Sequence, residues 1–252
     1  MKPLFKGKAN PSQTGFSLVE LLVAMVILLA VTSIVMRGIS QLQRRSTNET
    51  AKLDSTQETR EFLDQVTRDI HQIGYPNTRM SATIAPGAVA QADPTIAVPE
   101  VLGTPAASTT PNQIQFEGDL DGSGTVQEVF LQLLPGPGNT CPCTVQRGTL
   151  TKAAFVAGGV PTFFTQLNNV INSGNQFPIA GADDKGNAYD ARYAAYKLTP
   201  VFQMFDNLGN PAPGGNAVKT ITITVNILSP RTDQETGEPS VVTMTTTSRM
   251  NN

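Results

Sequence analysis

The stretch that decides the fold is TGFSLVELLVAMVILLAVTSIVM, residues 14 to 36. From Phe16 to Met36 it forms an apolar run of about 21 residues, long enough to cross roughly 30 Å of hydrocarbon as a helix. One acid, Glu20, interrupts the run near its start. A carboxylate inside a bilayer costs roughly 2.5–3.5 kcal/mol, so membrane anchoring alone does not explain this residue.

The segment before the run is short and basic. Residues 1–15 contain Lys2, Lys6 and Lys8 and no acid, which favours a cytoplasmic amino terminus. The apolar run is longer than the core of a signal peptide, about 7–15 residues, and no convincing A-x-A cleavage site follows it. The sequence therefore predicts a single-pass membrane anchor with its amino terminus in the cytoplasm.

The junction between the two segments carries a specific pattern. Gly15 ends the leader, Phe16 follows, and Glu20 lies four residues further on, within the unbroken stretch GFSLVELLVA. This stretch resembles the type IV prepilin family. The resemblance implies that a prepilin peptidase cuts after Gly15 and that Phe16 becomes an N-methylated amino terminus. It also implies that Glu20 pairs with that amine on a neighbouring subunit, as a buried charge requires.

The helical pattern continues past the apolar run. From Arg37 it becomes polar, and the residues that then recur on one helix face are Phe62, Leu63, Val66, Ile70 and Ile73. Gly74 and Pro76 supply a stop, so we predict one helix from about Phe16 to Ile73. Its parts are a transmembrane or filament-core helix (16–36) and an amphipathic continuation (37–75). Prepilins often carry a proline at the position of Arg37, whereas here only Gly38 loosens the helix.

Residues 76–252 form the predicted periplasmic head. Residues 77–112 are rich in Pro, Ala, Thr and Ser without sustained periodicity, which predicts a long surface loop. Alternating apolar residues then predict a β-hairpin around GDLDGSG and strands near 143–150 and 201–205. A last antiparallel pair spans about 220–227 and 242–249. An antiparallel sheet packed against the end of the long helix is an α+β architecture, and it is the pilin fold.

Two shorter stretches of the head indicate which members of the family the chain resembles most. PVFQMFDNLG, residues 200–209, and the ending TTSRMNN resemble PilW-like minor pilins and, more loosely, the J-type pseudopilins of type II secretion. The resemblance implies a minor pilin that helps pilus initiation or tip assembly, with major and minor pilins and the inner-membrane assembly platform as partners. The protein would then move from the inner membrane to the pilus at the cell surface. Two alternatives are a J-type pseudopilin and a membrane-tethered periplasmic binding module or enzyme.

The hairpin turn DLDGSGT matches the first half of a calcium-binding EF-hand loop. Asp119, Asp121 and Ser123 fall at loop positions 1, 3 and 5, and the carbonyl of Thr125 falls at position 7. Position 12 is a phenylalanine, so the bidentate acid is missing, and Glu128 is a candidate replacement from the next strand. An Asp/Gly-rich turn without metal explains the same residues. A second such turn contains Asp183, Asp184 and Gly186.

The two cysteines are separated by a single proline. If the head lies outside the cytoplasm, Cys141 and Cys143 can form a disulfide, and the alternative is a pair of reduced thiols in a turn. A structural zinc site needs four ligands, and the lone His71 and the two thiols do not supply them. His71 lies off the apolar helix face and is predicted to be solvated.

Composition excludes several functions. The net charge is −2, charged residues make up 15%, and no basic run could follow a phosphate backbone, so nucleic acid is not an expected partner. The sequence contains no G-x-S-x-G, P-loop or H-E-x-x-H motif. We therefore predict a structural protein rather than an enzyme, with no required cofactor unless the calcium loop is real.

Overall fold

The computed structural model describes residues 17–75, 92, 95–97, 112–183, 185–232 and 238–250. The chain divides into two compact units, Met1–Thr47 and Asn48–Asn252. One helix, α1 (Leu18–His71), contributes residues to both units and confirms the predicted long helix. Its predicted start at Phe16 lies outside the described residues. Arg37 and Gly38 both lie within α1, so the helix continues unbroken through the position of Arg37, where prepilins often have proline.

The helix ends two residues before the predicted Ile73. The N–H groups of Gln72 and Ile73 bond to the carbonyls three residues back, which tightens the last turn. Gly74 then adopts a left-handed backbone with φ of 74°, and its N–H pairs with the carbonyl of Glu117 instead of continuing the helix. His71 is exposed at this end, as predicted.

In the first unit, every described residue from Leu18 to Thr47 is exposed. The large apolar side chains include Leu18, which is 80% exposed, and Ile34, which is 71% exposed. By length and composition, α1 could span a membrane. An apolar surface of this length in water would be strongly unfavourable, so lipid or other proteins must cover it.

The second unit is an eight-stranded antiparallel sheet with the last turns of α1 packed against it. Its strands are β1 (Ile96–Ala97), β2 (Gln113–Gly118), β3 (Gln127–Gly136), β4 (Thr140–Thr151), β5 (Thr162–Val170), β6 (Phe202–Phe205), β7 (Thr220–Thr232) and β8 (Pro239–Arg249). They follow the order β1-β2-β3-β4-β5-β7-β6, and β8 pairs with β7. Short helices lie at α2 (Lys152–Val156), α3 (Tyr189–Arg192) and α4 (Ala194–Lys197). The predicted α+β architecture is confirmed.

The core forms where the predicted apolar helix face meets the sheet. All five helix-face residues named above are buried, and Val66 and Ile70 have no exposed surface. The facing sheet residues are supplied by alternation, for example Ile114 paired with Leu131 across the β2–β3 hairpin. Burying these side chains excludes water from both surfaces, so the core fixes the end of α1 on the sheet.

Two parts of the head differ from the prediction. The segment 77–112 was predicted to be loop throughout, but within it Ile96–Ala97 pairs with β2, and the Ile96 side chain is fully buried opposite Phe116. Two residues are too few to produce a visible period, so the sequence pattern missed this strand. Strand β5 was also missed, because several of its residues are exposed on both faces and the burial pattern lacks alternation.

Candidate functional site

The site that the sequence indicates lies at the amino-terminal end of α1. Gly15 and Phe16 lie outside the described residues. Glu20 lies in the first turn of α1, and its Oε2 accepts a hydrogen bond of 3.4 Å from the backbone N–H of Ser17. An acid in a first turn also interacts favourably with the positive end of the helix dipole. Glu20 is thus compatible with the helix, while its carboxylate remains exposed.

Two other polar side chains, one in and one just after the apolar run, are satisfied within the helix itself. The hydroxyl of Thr32 donates to the carbonyl of Leu28 at 2.7 Å, and the hydroxyl of Ser40 donates to the carbonyl of Met36 at 2.9 Å. Such bonds remove the cost of placing a hydroxyl in an apolar environment. Glu20 differs because it carries a negative charge, and burial of such a charge is tolerated only with a cationic partner.

The comparisons with known proteins agree with this assignment at the level of protein class. Residues 10–36 match the model of the prokaryotic N-terminal methylation motif. No curated protein and no solved structure matches the chain significantly. The motif supports a type IV pilin-like or pseudopilin-like protein, and it implies processing by prepilin peptidase and assembly with other pilins. The apolar half of α1 fits the membrane anchor typical of prepilins. Such proteins are typically structural rather than catalytic.

The predicted calcium loop forms a compact hydrogen-bonded turn between β2 and β3. Asp119 is 3% exposed, and its two carboxylate oxygens accept from the N–H groups of Ser123 at 3.1 Å and Gly124 at 2.8 Å. Asp121 accepts from the N–H of Ser123 at 3.0 Å, and hydrogen bonds from Ser123 lower the pKa of its carboxyl. The N–H of Thr125 donates to the Ser123 hydroxyl. These bonds explain the turn without a metal, although carboxylate oxygens retain further acceptor capacity.

Glu128, the candidate replacement ligand, bonds to a partner outside the loop. Glu128 lies in β3, where it is buried and accepts from the side-chain amide of Gln115 at 2.8 Å. Within the described residues, no group of three or more His, Cys, Asp or Glu side chains is arranged to hold a metal ion. Calcium at Asp119, Asp121, Ser123 and Thr125 therefore stays a prediction that rests on the loop alone.

The second candidate metal turn is also explained by hydrogen bonds, and Asp184 lies outside the described residues. Asp183 accepts from the N–H groups of Lys185 and Asn187, and the Asn187 side chain lowers the pKa of its carboxyl. The turn Asp206–Asn210 repeats this pattern, including a glycine with φ near 83°. The shared signal is D-x-x-G-N, which sequence reasoning missed. An aspartate that bonds two and four residues ahead is a turn device.

The two cysteine side chains are joined as a disulfide in the structure, with a Cα–Cα distance of 4.3 Å. Both residues are buried at the start of β4, and the peptide bond between Cys141 and Pro142 is cis. The N–H of Cys141 donates to the carbonyl of Pro178, which ties this end of the strand to a neighbouring segment. Oxidation of this pair in the native protein stays a prediction.

A buried ion pair that links α1 to the sheet was missed from the sequence. Asp69 is 7% exposed, and its Oδ2 accepts from Nε of Arg147 on β4 at 2.9 Å. Burial raises the pKa of the Asp69 carboxyl, and the nearby Arg147 guanidinium opposes the rise. Gly118 lies beside the same helix end, where an added Cβ would come within 2.6 Å of the Gln72 carbonyl oxygen. An acid immediately before a core residue, Ile70, was the available signal.

Proposed function

We propose that this chain is a minor subunit of a type IV pilus that acts in pilus initiation or at the tip. The observation that carries the proposal is Glu20, an exposed carboxylate in an exposed apolar helix, within a matched methylation motif. A head of eight strands also favours a minor subunit, because the repeating subunit of a filament packs most easily with a small head.

The chemistry of assembly follows from charge and burial. Cleavage after Gly15 creates an amine on Phe16, two positions before the first residue of α1, and the dipole of the helix adds positive charge at that end. Glu20 of one subunit pairs with this amine on its neighbour, and the apolar residues around it pack against other helices. Pairing removes the cost of burying each charge alone and sets the register between subunits. The membrane anchor is thus the storage state, and the filament core is the final environment.

The experiment that tests this proposal compares Glu20→Ala with Thr32→Ala in the native host. Glu20→Ala should insert and be processed normally, because losing a carboxylate makes the membrane state easier. It should then fail to enter the filament, since the neighbouring amine is buried without a partner at a cost of about 3–5 kcal/mol. Thr32→Ala is the matched control, because the hydroxyl of Thr32 bonds to the carbonyl of Leu28 within its own helix.

Incorporation is measured directly as the amount of each variant in sheared pili relative to the inner-membrane fraction. The proposal requires at least a hundredfold loss of incorporation for Glu20→Ala, as expected from a difference of about 3 kcal/mol or more. Thr32→Ala should be incorporated like the wild type. Equal incorporation of Glu20→Ala and the wild type would show that the acid has another role.

The same motif occurs in pilins and pseudopilins, so a deletion strain separates the two. Loss of pili with normal secretion supports the minor pilin. Loss of type II secretion with normal pili supports a J-type pseudopilin, and an intact leader on the mature protein supports a tethered periplasmic module. We propose no catalytic role and no required cofactor.

A further inference from the structure

The sheet has an open edge at β5. This strand pairs with β4 along most of its length, from Thr162 to Val170. On its other side it meets β7 at a single residue pair, Val170 with Ile227. Among the described residues, no strand and no backbone hydrogen bond covers that other side at residues 162–169, the open edge of β5. Outward-facing N–H and C=O groups at a strand edge are a template for a further strand.

The surface around the open edge is apolar and uncharged. Phe164 of β5 is 65% exposed, and Val160, which precedes the strand, is 83% exposed. Val156, the last residue of α2, is 76% exposed. The sequence contains no charged residue from 153 to 182. Proteins usually protect an exposed strand edge with charges or with proline, and β5 contains neither, so these features together indicate a binding surface.

The other strands at the margins of the sheet are less suitable for pairing. Strand β1 has two residues and β6 has four, and each also forms an isolated bridge to a neighbouring segment, at Ile96 and at Phe205. Strand β8 is long, but it begins with Pro239 and ends with Arg249. A proline and a charge are the features that discourage pairing at an edge, so β5 is the strand best suited to bind another.

We propose that the open edge of β5 pairs antiparallel with the same edge of a second copy of this chain. Pairing about a two-fold axis places each residue of the edge opposite a residue of the same strand. Because the strand and its surroundings are uncharged, no like charges come together. A helix that by length and composition could span a membrane also confines the copies to one surface, which raises their effective concentration. The pairing does not involve Glu20 and is independent of the function proposed above.

Sedimentation equilibrium of the full-length chain in detergent tests the pairing, and the wild type should be a dimer. Thr165 is an exposed residue of β5, and Thr165→Lys brings like charges together, so the Kd of the dimer should rise about tenfold or more. Thr165→Glu should have the same effect. An equal mixture of the two variants should recover the dimer, because each lysine then meets a glutamate. Thr247→Lys, at an exposed residue of β8, is the matched control and should dimerise like the wild type.

Cross-linking gives a second test that does not depend on the charged variants. Single cysteines replace in turn residues 162–166 and 168, which are all at least partly exposed, and a short thiol cross-linker is added. Each step away from the two-fold axis adds about 7 Å between the two copies of a residue, so cross-linked dimers should concentrate at one position and its neighbours. The wild type, whose own cysteines are buried, is the control.

Four results would overturn the pairing. The first is a monomeric wild type, and the second is a dimer that Thr165→Lys does not weaken, which would assign the association to another surface such as α1. The third is a mixture of Thr165→Lys and Thr165→Glu that stays monomeric, which would mean that the edge binds a different protein. The fourth is cross-linking that is absent or uniform along β5.

Discussion

Arg147→Met tests how the end of α1 is held on the sheet. The substitution keeps most of the aliphatic stem of Arg147 but leaves the Asp69 carboxylate without its partner at a site where the two side chains are only 16% and 10% exposed. Removing one partner of a fully buried pair costs about 3–5 kcal/mol, and the residual exposure here reduces our expectation to about 2–4 kcal/mol.

The assay is thermal unfolding of the full-length chain in detergent, followed by near-ultraviolet circular dichroism of the head. For a domain of this size, a loss of 1 kcal/mol lowers Tm by about 2–4 °C, so Arg147→Met should lower it by roughly 4–16 °C at pH 7. Arg60→Met, at an exposed arginine of α1, is the matched control and should leave Tm almost unchanged. A Tm for Arg147→Met within about 2 °C of the wild type would refute the reasoning.

The sign of the pH dependence gives a second check on the same variant. Burial raises the pKa of Asp69, and Arg147 normally opposes this rise, so the pKa should be higher still in Arg147→Met. A raised pKa stabilises the fold at low pH and loses that effect as pH increases. The destabilisation by Arg147→Met should therefore be smaller near pH 4 than at pH 7. The double variant Asp69→Asn/Arg147→Met should recover much of the lost stability, because no charge remains buried.

Two further predictions concern the loop and the cysteines. Because backbone N–H groups already bond to Asp119 and Asp121, we expect the same Tm in calcium and in a chelator; a rise with calcium that Asp121→Ala abolishes would establish a metal site instead. We also expect Cys141 and Cys143 of protein from the native host to resist alkylation after denaturation until a reductant is added. Alkylation of the unreduced, denatured chain would show that the pair is a dithiol.

The parts of the fold that depend on long, regular sequence patterns could be predicted. The helix face from Phe62 to Ile73 and the alternating residues of β7 are periodic over several turns or strand positions, and both are buried as expected. Strand β1 could not be predicted, because the burial of Ile96 comes from a partner strand far along the chain. Periodicity reports only on local elements, whereas pairing across the sheet depends on contacts that the local pattern does not contain.

The candidate sites likewise divide into those that the sequence reveals and those that only the structure reveals. Glu20 could be found from the sequence, because a charge within an apolar run is easy to see and its burial in a bilayer has a high free-energy cost. Glu128 and Asp69 also carry buried carboxyls, but their partners Gln115 and Arg147 lie 13 and 78 positions away along the sequence. Such groups can be found only once the sheet brings their partners together.

The central claim is that the chain is processed and assembled as a pilin-like subunit. The measurement that tests it most directly is the intact mass and amino-terminal sequence of the protein purified from its native host. We predict a mature chain that begins at Phe16 and carries one methyl group on its amine. A mature chain that retains the leader and begins at Met1 would contradict the prepilin assignment, and with it the proposed role of Glu20.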